Sequence, residues 1–531
     1  MKCLSRGGVL LGAAGVLISP WSATALKLQW GGASRPARRS AKGSFGLFGV
    51  SSSRARGAPL SHAAATLESA GASEAELPQD DAPTLAMGAW LPIGSALALA
   101  GLGPTRVEVV GQQLVVWEHA SSSDEEVPWS VQVDACSHRL APLSQGRVDP
   151  TTNCIECPYH GWQYGHDGTC TSIPQMEEGA TIPAASHLTS LPTRLTGDVI
   201  WAFFDASAFD LGVEKLPFER FPELVAPRLV NDTGPVYVRE LPYSFDFLLE
   251  NFMDPAHIPY AHHGLQGVRT DGSPIPMKTL VSNNTHLEIQ YNDVVRNKTR
   301  DAVLSFIRPV YYHFRERKPS GTAMTEKDAK GERIVLQMLT VPVAEGRSRL
   351  FIMPAKFPFP FSLFPTWVMH LFSNRFIDTD IWLHDTEITA RAQSTRDELD
   401  YVLPTTSDTA TREFRKWWTK VGLSSTPPNT FGPASPESLK AMPRAAQLNR
   451  FENHAATCSA CRKALAKFKR IRDVVPWAAL ALVGLRLRPI YTLPGLMVLL
   501  WVRKVCEGIV NELGGPEPSA LEPRSAAASK E

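Results

Sequence analysis

The chain has 531 residues, of which 44% are hydrophobic and 20% are charged, a balance typical of a folded protein and not of a disordered one. The formal net charge is +1, but residues 1–67 hold nine basic residues and no acidic one, so residues 68–531 carry −8. A mildly acidic body gives no reason to expect binding to nucleic acid. The length allows two or three domains with accessory segments.

The first 67 residues have the composition of a targeting leader. Residues 1–25 combine a basic start, an apolar run and the small-residue pattern Ala23-Thr24-Ala25, which predicts a secretory signal peptide. Residues 26–67 are rich in arginine and serine and lack acids, as a transit peptide does. In tandem they resemble the bipartite leader that reaches a plastid enclosed by additional membranes. A secretory signal followed by a basic linker is the alternative.

Two domains are expected after a linker at 68–87. Over 88–209, short β-type runs such as TRVEVVGQQLVVWEH are punctuated by Gly and Pro, which predicts a small all-β domain. Over 210–450, strand-like stretches such as ERIVLQMLTVPV mix with helix-like ones such as RAQSTRDELDYVL, so the fold class is predicted to be α+β. The eight cysteines cluster in pairs, which favours metal or redox chemistry over a disulfide framework.

The first candidate metal site lies where three cysteines and two histidines crowd into 27 positions. Zinc fingers usually pair Cys with Cys and His with His. Here the pairs are mixed, because Cys136-x-His138 is followed, after 18 intervening residues, by Cys157-x2-His160. Mixed pairs on two loops favour a Rieske [2Fe–2S] cluster over zinc, since two cysteines then hold one iron and two histidines the other. Cys154 lacks a histidine three positions on, so we interpret it as a spectator.

The flanking residues indicate which kind of Rieske protein this is. Respiratory-chain Rieske proteins carry two further cysteines that clamp the loops, and here those positions hold Ala141 and Tyr159. The sequence YHGW, with Tyr159 and Trp162, resembles that of Rieske oxygenases instead. This resemblance implies that the tyrosine hydroxyl tunes a cluster or ligand sulfur and that the tryptophan shields the cluster.

A second candidate site lies in the sequence ENFMDPAHIPYAHHG. His257 and His262 resemble the iron ligands of Rieske oxygenases, whose mononuclear Fe(II) binds two imidazoles and one carboxylate and keeps positions open for O2. Their spacing would point them apart on a regular helix. Pro255 and Pro259 interrupt the helix, however, and permit convergence. His263 is the competing histidine, but its spacing is wrong by one.

Three further residues are expected at this second site. The resemblance implies that Asp254 bridges a Rieske histidine of a neighbouring subunit to an iron-ligating histidine and carries the electron. The third iron ligand is expected in residues 374–387, where Asp380 is preferred over Asp378; a solvated acidic turn is the alternative. Asn251 is expected beside the iron without binding it.

Cys458 and Cys461 form a C-x2-C on a predicted helix within the segment 451–470. By itself the pattern fits a zinc site, a redox pair or an incidental spacing. Our hypothesis is a redox switch, because thiols this close can cycle to a disulfide that a thioredoxin-like reductant reads. Arg462 and Lys463 nearby would favour the thiolate.

Two apolar runs, 474–485 and 490–502, define a predicted membrane-anchoring segment at 474–505. Each run is shorter than a comfortable membrane span. Trp477 and Trp501 and the flanking basic residues favour a hairpin or an interfacial anchor. A buried pair of core helices is the alternative.

Five features together resemble those of the pheophorbide a oxygenase-like Rieske non-haem iron oxygenases over residues 88–510: CSHRLAPLSQGR, YHGWQYGHDGTCTSIPQ, NFMDPAHIPYAHHG, the C-x2-C and the apolar tail. The resemblance implies a helix-grip (START-like) iron domain, a homotrimer and attachment to a thylakoid or envelope membrane of the plastid (chloroplast). It also implies reduced ferredoxin as the electron donor, O2 as the oxidant and a chlorophyll-type tetrapyrrole as the substrate.

The expected activity is therefore a monooxygenase reaction on a chlorophyll-derived macrocycle. Pheophorbide a is the first candidate, and its ring would be opened to a red bilin-type product. Residues 351–372 are aromatic and rich in proline, and they are candidates for lining a wide apolar pocket, although core packing explains them equally well. The alternatives are a chlorophyllide- or protochlorophyllide-type oxygenase and a translocon-associated redox sensor, which would not need a complete iron triad.

Overall fold

The structure is a computed structural model of the chain. It describes residues 89–120, 127–204, 236–283, 286–296, 298–308, 310–317, 332–353, 363–393, 401–422, 439–485 and 488–515. The predicted signal peptide (1–25), transit peptide (26–67) and linker (68–87) lie outside the described residues. So do the predicted domain boundary at 209/210 and residues 354–362 of the candidate pocket lining.

The described residues form eighteen strands in four antiparallel sheets. The strands are β1 (Ala89–Ser95), β2 (Thr105–Val109), β3 (Gln112–Glu118), β4 (Trp129–Val133), β5 (Arg147–Val148), β6 (Ile155–Glu156), β7 (Gln163–Tyr164), β8 (Cys170–Ser172), β9 (Ser190–Leu191), β10 (Thr193–Thr196), β11 (Val199–Phe204), β12 (Tyr237–Leu241), β13 (Met277–Ser282), β14 (His286–Val295), β15 (Lys298–Ile307), β16 (Tyr311–Arg317), β17 (Glu332–Ala344) and β18 (Arg347–Met353).

The same part of the chain contains ten α-helices, most of them after the last strand. The helices are α1 (Ala96–Leu99), α2 (Phe245–Met253), α3 (Ile258–Ala261), α4 (Thr366–Asp378), α5 (Leu383–Gln393), α6 (Thr409–Trp417), α7 (Arg444–Gln447), α8 (Arg450–Asn453), α9 (Ser459–Gly484) and α10 (Pro489–Gly514).

Three of the sheets build the N-terminal domain. Their strand orders are β1-β11-β10, β2-β3-β4-β9 and β5-β6-β7-β8. The short β5–β8 sheet and the loops beside it have a hydrophobic core of their own, which contains Trp117, Tyr164 and the cysteines at 136 and 157. The candidate cluster loops therefore rest on a small core that is separate from the rest of the protein.

Seven antiparallel strands form the sheet of the second domain, in the order β12-β18-β17-β16-β15-β14-β13. Its strands alternate between buried and less buried side chains, as on β14, where Leu287, Ile289 and Tyr291 point into the core. Helix α2 packs against β17 and β18 and leads directly into the segment with the candidate iron ligands. The predicted succession of an all-β domain and an α+β domain is confirmed.

The two domains share one hydrophobic core and a hydrogen bond from a buried arginine. The core runs from Trp201 on β11 to Val341 on β17. Arg349 on β18 is 4% exposed, and it donates to the carboxylate of Glu240 at 2.6 Å and to the backbone oxygen of Glu108 at 2.9 Å. Burying a charge is costly without such partners. The bond to Glu108 links the N-terminal domain to the larger sheet, and the bond to Glu240 lies within that sheet.

Helices α9 and α10 pack against each other as a hairpin and contain both predicted apolar runs. The start of α9 and the end of α10 lie against the second domain. The middle of the hairpin exposes large apolar side chains, including Trp477 (72% exposed) and Met497 (70%), which does not fit the alternative of a buried core pair. Among the described residues, no helix is long and apolar enough to cross a membrane.

Candidate metal centres

Two loops carry the four candidate Rieske ligands, one between β4 and β5 and the other between β6 and β7. The loops share a hydrogen-bond pattern in which the cysteine amide donates to the carbonyl five residues on. This bond joins Cys136 to Ala141 at 2.9 Å and Cys157 to Trp162 at 2.8 Å. The two mixed Cys/His pairs are thus presented by turns of similar conformation.

Each of these turns requires a left-handed backbone at the fourth residue after the cysteine. Leu140 has φ 57° and Gly161 has φ 74°. Glycine adopts this conformation without steric cost, whereas leucine does so with strain. The glycine of the YHGW motif is therefore explained by the geometry of its loop.

The cysteines of the two loops point inward and the histidines outward. Cys136 is 1% exposed and Cys157 is 2% exposed, whereas His138 is exposed and His160 is half-buried. The two imidazole rings lie 4.6 Å apart, centroid to centroid. A cluster held by these residues would present its histidine side to a redox partner and its sulfur side to the protein.

A tyrosine hydroxyl does contact a candidate ligand sulfur, but it belongs to Tyr164. Its oxygen lies 3.0 Å from Sγ of Cys136 and 3.0 Å from the hydroxyl of Ser137. Burial raises the pKa of Tyr164, so the hydroxyl keeps its proton and can donate to a thiolate. Tyr159, for which the resemblance to Rieske oxygenases implied this contact, is 56% exposed and packs on the ring of His160.

Trp162 lies beside a candidate cluster ligand, as the shielding role implied by the resemblance to Rieske oxygenases requires. Its ring stacks on His138 with centroids 4.5 Å apart and planes 2° from parallel, and its indole nitrogen donates to Gln175 at 3.2 Å. The tryptophan therefore covers one face of a candidate ligand.

Cys154 lies apart from these ligands. It is buried, accepts a hydrogen bond from the hydroxyl of Thr171 at 3.5 Å, and donates to the backbone oxygen of Thr152 at 3.4 Å. These contacts give Cys154 a local packing role, which agrees with its interpretation as a residue that does not bind the cluster.

The second candidate site is built on a broken helix. Helix α2 ends at Met253, a 3-10 turn follows at Pro255–His257, and α3 begins at Ile258 and ends before His262. Because the prolines start new turns, the two histidines converge, and their Nε2 atoms lie 3.2 Å apart.

The carboxylate at this site comes from Asp380 and not from Asp378. Oδ2 of Asp380 lies 3.3 Å from Nε2 of His262, and one donor atom each of Asp380 and the two histidines lie within 4.8 Å of one another. Asp378 instead forms ion pairs with Arg239 at 2.6 Å and with Arg450 at 2.8 Å. The alternative of a solvated acidic turn does not fit, because Asp380 is 4% exposed.

Neighbouring polar groups orient these three side chains. Thr379 donates its hydroxyl proton to the backbone oxygen of Phe376 at 2.6 Å, so it can only accept from Nδ1–H of His262 at 2.7 Å. This bond leaves Nε2 of that histidine unprotonated, as a metal ligand must be. Asn251 donates to Oδ2 of Asp380 at 3.2 Å, and so lies beside the site as expected.

Burial shifts the pKa values of two groups at this site. Burial, together with the neighbouring imidazole of His257, lowers the pKa of His262 to about 3. Burial also raises the pKa of Asp380 to about 6, and its Oδ1 is buried with no hydrogen-bond partner among the described residues. Two facing imidazole nitrogens and one carboxylate are the ligand set that non-haem Fe(II) uses, with positions left open.

Asp254 lies between this site and the surface. Its Oδ1 accepts a hydrogen bond from the amide of Ala256 at 2.7 Å, and its Oδ2 lies 3.8 Å from Nδ1 of His257. The Asp254 side chain is 33% exposed. The carboxylate can therefore contact a candidate ligand on one side and an incoming group on the other.

The C-x2-C pair lies in a buried cluster that the sequence did not indicate. Cys458 caps the start of α9, Cys461 lies in its first turn, and they are 3% and 0% exposed. His370 and His454 face their sulfurs at 3.2–3.5 Å. These histidines and Tyr164 are the functional candidates that sequence reasoning missed. Tyr164 lies within the quoted stretch YHGWQYGHDGTCTSIPQ, whereas the two histidines stand in no motif.

Comparisons with known proteins place these observations in a family. Two family models match the chain: the Rieske [2Fe-2S] domain over 89–192 and the Vanillate O-demethylase oxygenase C-terminal domain over 243–422. Chloroplastic pheophorbide a oxygenase from Oryza sativa subsp. japonica is 29% identical, and the match covers 74% of this chain and 75% of that protein. Chloroplastic protochlorophyllide-dependent translocon component 52 from Arabidopsis thaliana is 30% identical, over 71% of this chain and 72% of that protein.

A solved structure of Pseudomonas putida CBB5 NdmA is also similar, with 21% identity and a TM-score of 0.42 over 62% of this chain and 88% of NdmA. The two family models and the curated relatives account for both domains and most of the region between them. The chain therefore belongs to the pheophorbide a oxygenase-like Rieske non-haem iron oxygenases, enzymes with a Rieske [2Fe–2S] cluster and a mononuclear iron.

Proposed function

We propose that this enzyme is a plastid monooxygenase that uses reduced ferredoxin and O2 to oxygenate a chlorophyll-derived macrocycle, with pheophorbide a as the first candidate. The observation that carries the proposal is the convergence of His257, His262 and Asp380 in a relative of pheophorbide a oxygenase. A protein that only sensed or relayed electrons would not need this triad. Addition of one oxygen atom consumes O2, two electrons and two protons and releases water.

The cofactors are assigned to two sets of residues. The [2Fe–2S] cluster is held by Cys136 and Cys157 on one iron and by His138 and His160 on the other. The second set, the triad named above, holds the mononuclear Fe(II), which when bound supplies the site for O2 activation. In support, the two cysteines of the first set share one small core and its two imidazoles lie 4.6 Å apart. The triad gathers from separate segments and offers an unpartnered buried carboxylate oxygen to a cation.

In a homotrimer, the Rieske loops of one subunit would lie against Asp254 of another, which would position the two metal centres for electron transfer when they are bound. The exposure of His138 and of Asp254 supports this arrangement, because each lies at the surface of its own domain and can meet a second copy of the chain. Asp254 then accepts a hydrogen bond from a Rieske histidine of the neighbouring subunit and faces His257. The carboxylate links the two imidazoles and positions them without binding iron itself.

The helix-grip assignment rests on the seven-stranded sheet and the helices that pack against it. Tyr237 on β12 donates its hydroxyl to the Asn374 side chain on α4 at 2.7 Å, and Arg239 of the same strand contacts Asn374 and Asp378. These bonds hold α4 on the sheet, and α4 leads directly to Asp380. Helix α4 is thereby held on the sheet and ends two residues before Asp380, the proposed third iron ligand.

The α9–α10 hairpin attaches the enzyme to a thylakoid or envelope membrane by lying in the interface between the membrane and water. Its exposed apolar side chains include Trp477, Leu480, Ile490, Met497 and Trp501. Aromatic and aliphatic side chains beside basic residues favour the boundary between lipid headgroups and acyl chains. Attachment there would bring a membrane-partitioned macrocycle close to the enzyme.

The proposed function is tested with purified, metal-replete enzyme, reduced ferredoxin and ¹⁸O2. Pheophorbide a, chlorophyllide a and protochlorophyllide are supplied in turn, and the products are analysed by mass spectrometry. We expect ferredoxin-dependent incorporation of ¹⁸O into one of them, most rapidly into ring-opened pheophorbide a. Absence of oxygenated product from the whole panel would contradict the proposal, and a preference for another member would reassign the substrate.

A further inference from the structure

Four buried side chains with metal-binding atoms meet where the C-terminal hairpin joins the second domain. They come from three segments: His370 from α4, His454 from the residue before a 3-10 turn, and Cys458 and Cys461 from the start of α9. Each is at most 3% exposed. We call these four side chains the Cys2His2 cluster.

The donor atoms of the Cys2His2 cluster are spaced as in four-coordinate zinc. Sγ of Cys461 lies 3.2 Å from Nε2 of His454 and 3.4 Å from Nδ1 of His370, and that nitrogen is 3.5 Å from Sγ of Cys458. All four donors lie within 4.8 Å of one another. With Zn–S of about 2.3 Å and Zn–N of about 2.0–2.1 Å, a tetrahedral ion keeps its ligand atoms roughly 3.3–3.8 Å apart.

The ring of His454 is fixed in the orientation that a ligand needs. Its Nδ1 donates to the backbone oxygen of Val238 at 2.6 Å, so Nε2 carries no proton and faces the sulfur of Cys461. A ring nitrogen bonded to a backbone carbonyl is the usual outer contact of a metal-binding histidine. The ring of Tyr237 packs on the imidazoles of both histidines and excludes water from that side.

A network of thiol hydrogen bonds is the competing explanation. Such bonds need only one imidazole for each thiol, yet the sulfur of Cys461 approaches both imidazole nitrogens and Nδ1 of His370 approaches both sulfurs. This mutual approach is what coordination of one central ion requires. We propose that the Cys2His2 cluster binds a structural Zn²⁺ ion.

Zinc is favoured over an iron–sulfur cluster by the compactness of the donors. Tetrahedral S2N2 sets bind zinc or iron–sulfur centres. A two-iron cluster separates its cysteine pair from its histidine pair, and the four candidate Rieske ligands, all of them in the described part of the chain, do not fall within the same 4.8 Å limit. Zinc binding releases the two thiol protons to solvent and leaves both histidines neutral, so the step involves no oxidant or reductant.

The zinc ion would fasten the membrane-facing hairpin to the catalytic domain. Its ligands join α9 to α4, and the bond from His454 continues to β12. His370 precedes Asp380 by ten residues, or about 15 Å along a helix, so the zinc would brace the helix before the iron ligand without reaching the reacting atoms. Cysteines bound to zinc are also unavailable for the thioredoxin-regulated disulfide, so the two hypotheses for this pair exclude each other.

Metal analysis of the full-length enzyme tests this proposal independently of turnover. We expect one zinc per chain in addition to the iron of the two catalytic centres. The Cys458→Ser/Cys461→Ser double variant should lose the zinc and keep the Rieske spectrum. Cys506→Ser, which changes a buried cysteine elsewhere in the hairpin, should keep both metals.

A second measurement covers the case in which the double variant fails to fold. Wild-type protein produced with Co²⁺ in place of zinc should show the visible absorption bands of a tetrahedral ion with thiolate ligands. Wild-type protein without zinc and without these cobalt bands would overturn the proposal. So would iron in place of zinc, or a Cys458–Cys461 disulfide detected by mass spectrometry.

Discussion

Oδ2 of Asp254 lies 3.8 Å from Nδ1 of His257, the ring nitrogen that faces away from the candidate iron position. The same imidazole places its Nε2 3.2 Å from Nε2 of His262. The imidazole of His257 thus connects the partly exposed carboxylate of Asp254 to the other members of the triad. Nδ1 of His257 is buried without a hydrogen bond among the described residues, so this nitrogen is positioned to bond to Asp254 after a small movement of the carboxylate.

Replacement of Asp254 by Asn tests this link. We expect Asp254→Asn to retain iron at both centres and a Rieske cluster that ferredoxin still reduces, because no ligand has been removed. Turnover should fall about 100-fold or more, since the charged link between the imidazoles is lost. Product formation and cluster reduction are measured on the same sample. Near-normal turnover in a metal-replete variant would contradict the electron-bridge role.

The two neighbouring aspartates at the end of α4, Asp378 and Asp380, should respond differently to substitution. Asp380→Ala should lose the mononuclear iron and all turnover while the Rieske cluster stays intact. Asp378→Ala leaves the buried Arg239 without its ion pair, so the free energy of unfolding should fall by about 3–5 kcal/mol. Folded Asp378→Ala should still bind iron. Iron content and urea unfolding measure both effects, and the opposite pattern would make Asp378 the ligand.

The Rieske ligands can be checked by electron paramagnetic resonance of the reduced protein. His160→Cys should move the spectrum towards that of an all-cysteine cluster or abolish the cluster, because imidazole ligation produces the Rieske signal. Cys154→Ala should leave the signal unchanged, since this sulfur bonds only to nearby threonines in the structure. Loss of the signal in Cys154→Ala would mean that the wrong cysteine had been assigned.

Tyr164 provides a test on the reduction potential. Hydrogen bonds to cluster and ligand sulfurs stabilise the more negative reduced state, so Tyr164→Phe should lower the potential. A net hydrogen bond of about 1 kcal/mol corresponds to about 40 mV for one electron. Tyr159→Phe is the matched control, because its hydroxyl is on an exposed ring, and it should shift the potential little. A larger shift in the control than in Tyr164→Phe would return the tuning role to Tyr159.

Much of the two iron sites could be predicted because their ligands are local in sequence. The pair Cys136/His138 lies on one loop and the pair His257/His262 on one short segment of broken helix, where spacing and proline positions limit the geometry. Spacing could not distinguish Asp380 from Asp378, since both lie at the end of α4. That choice depends on Arg239, which lies 139 positions before Asp378 and forms an ion pair with it.

The remaining functional candidates depend on contacts between distant segments. His370 reaches Cys458 across 88 residues, and only the packing of α4 against α9 brings them together. The choice between Tyr159 and Tyr164 depends on how one loop turns. The two residues are five positions apart, yet the ring of Tyr159 is exposed and the hydroxyl of Tyr164 contacts the sulfur of Cys136. Neither relationship produces a periodic pattern or a motif in the sequence.

The α9–α10 hairpin should bind lipid through its exposed apolar face. Trp477→Glu and Met497→Glu should each weaken binding to vesicles containing phosphatidylglycerol by at least about tenfold, because burial of one such side chain contributes about 1.5–3 kcal/mol. Val402→Glu, at a site 88% exposed outside the hairpin, is the matched control and should bind as wild type does. Sedimentation with vesicles measures all three. If the hairpin variants and the control bind equally well, this face does not attach the enzyme to the membrane.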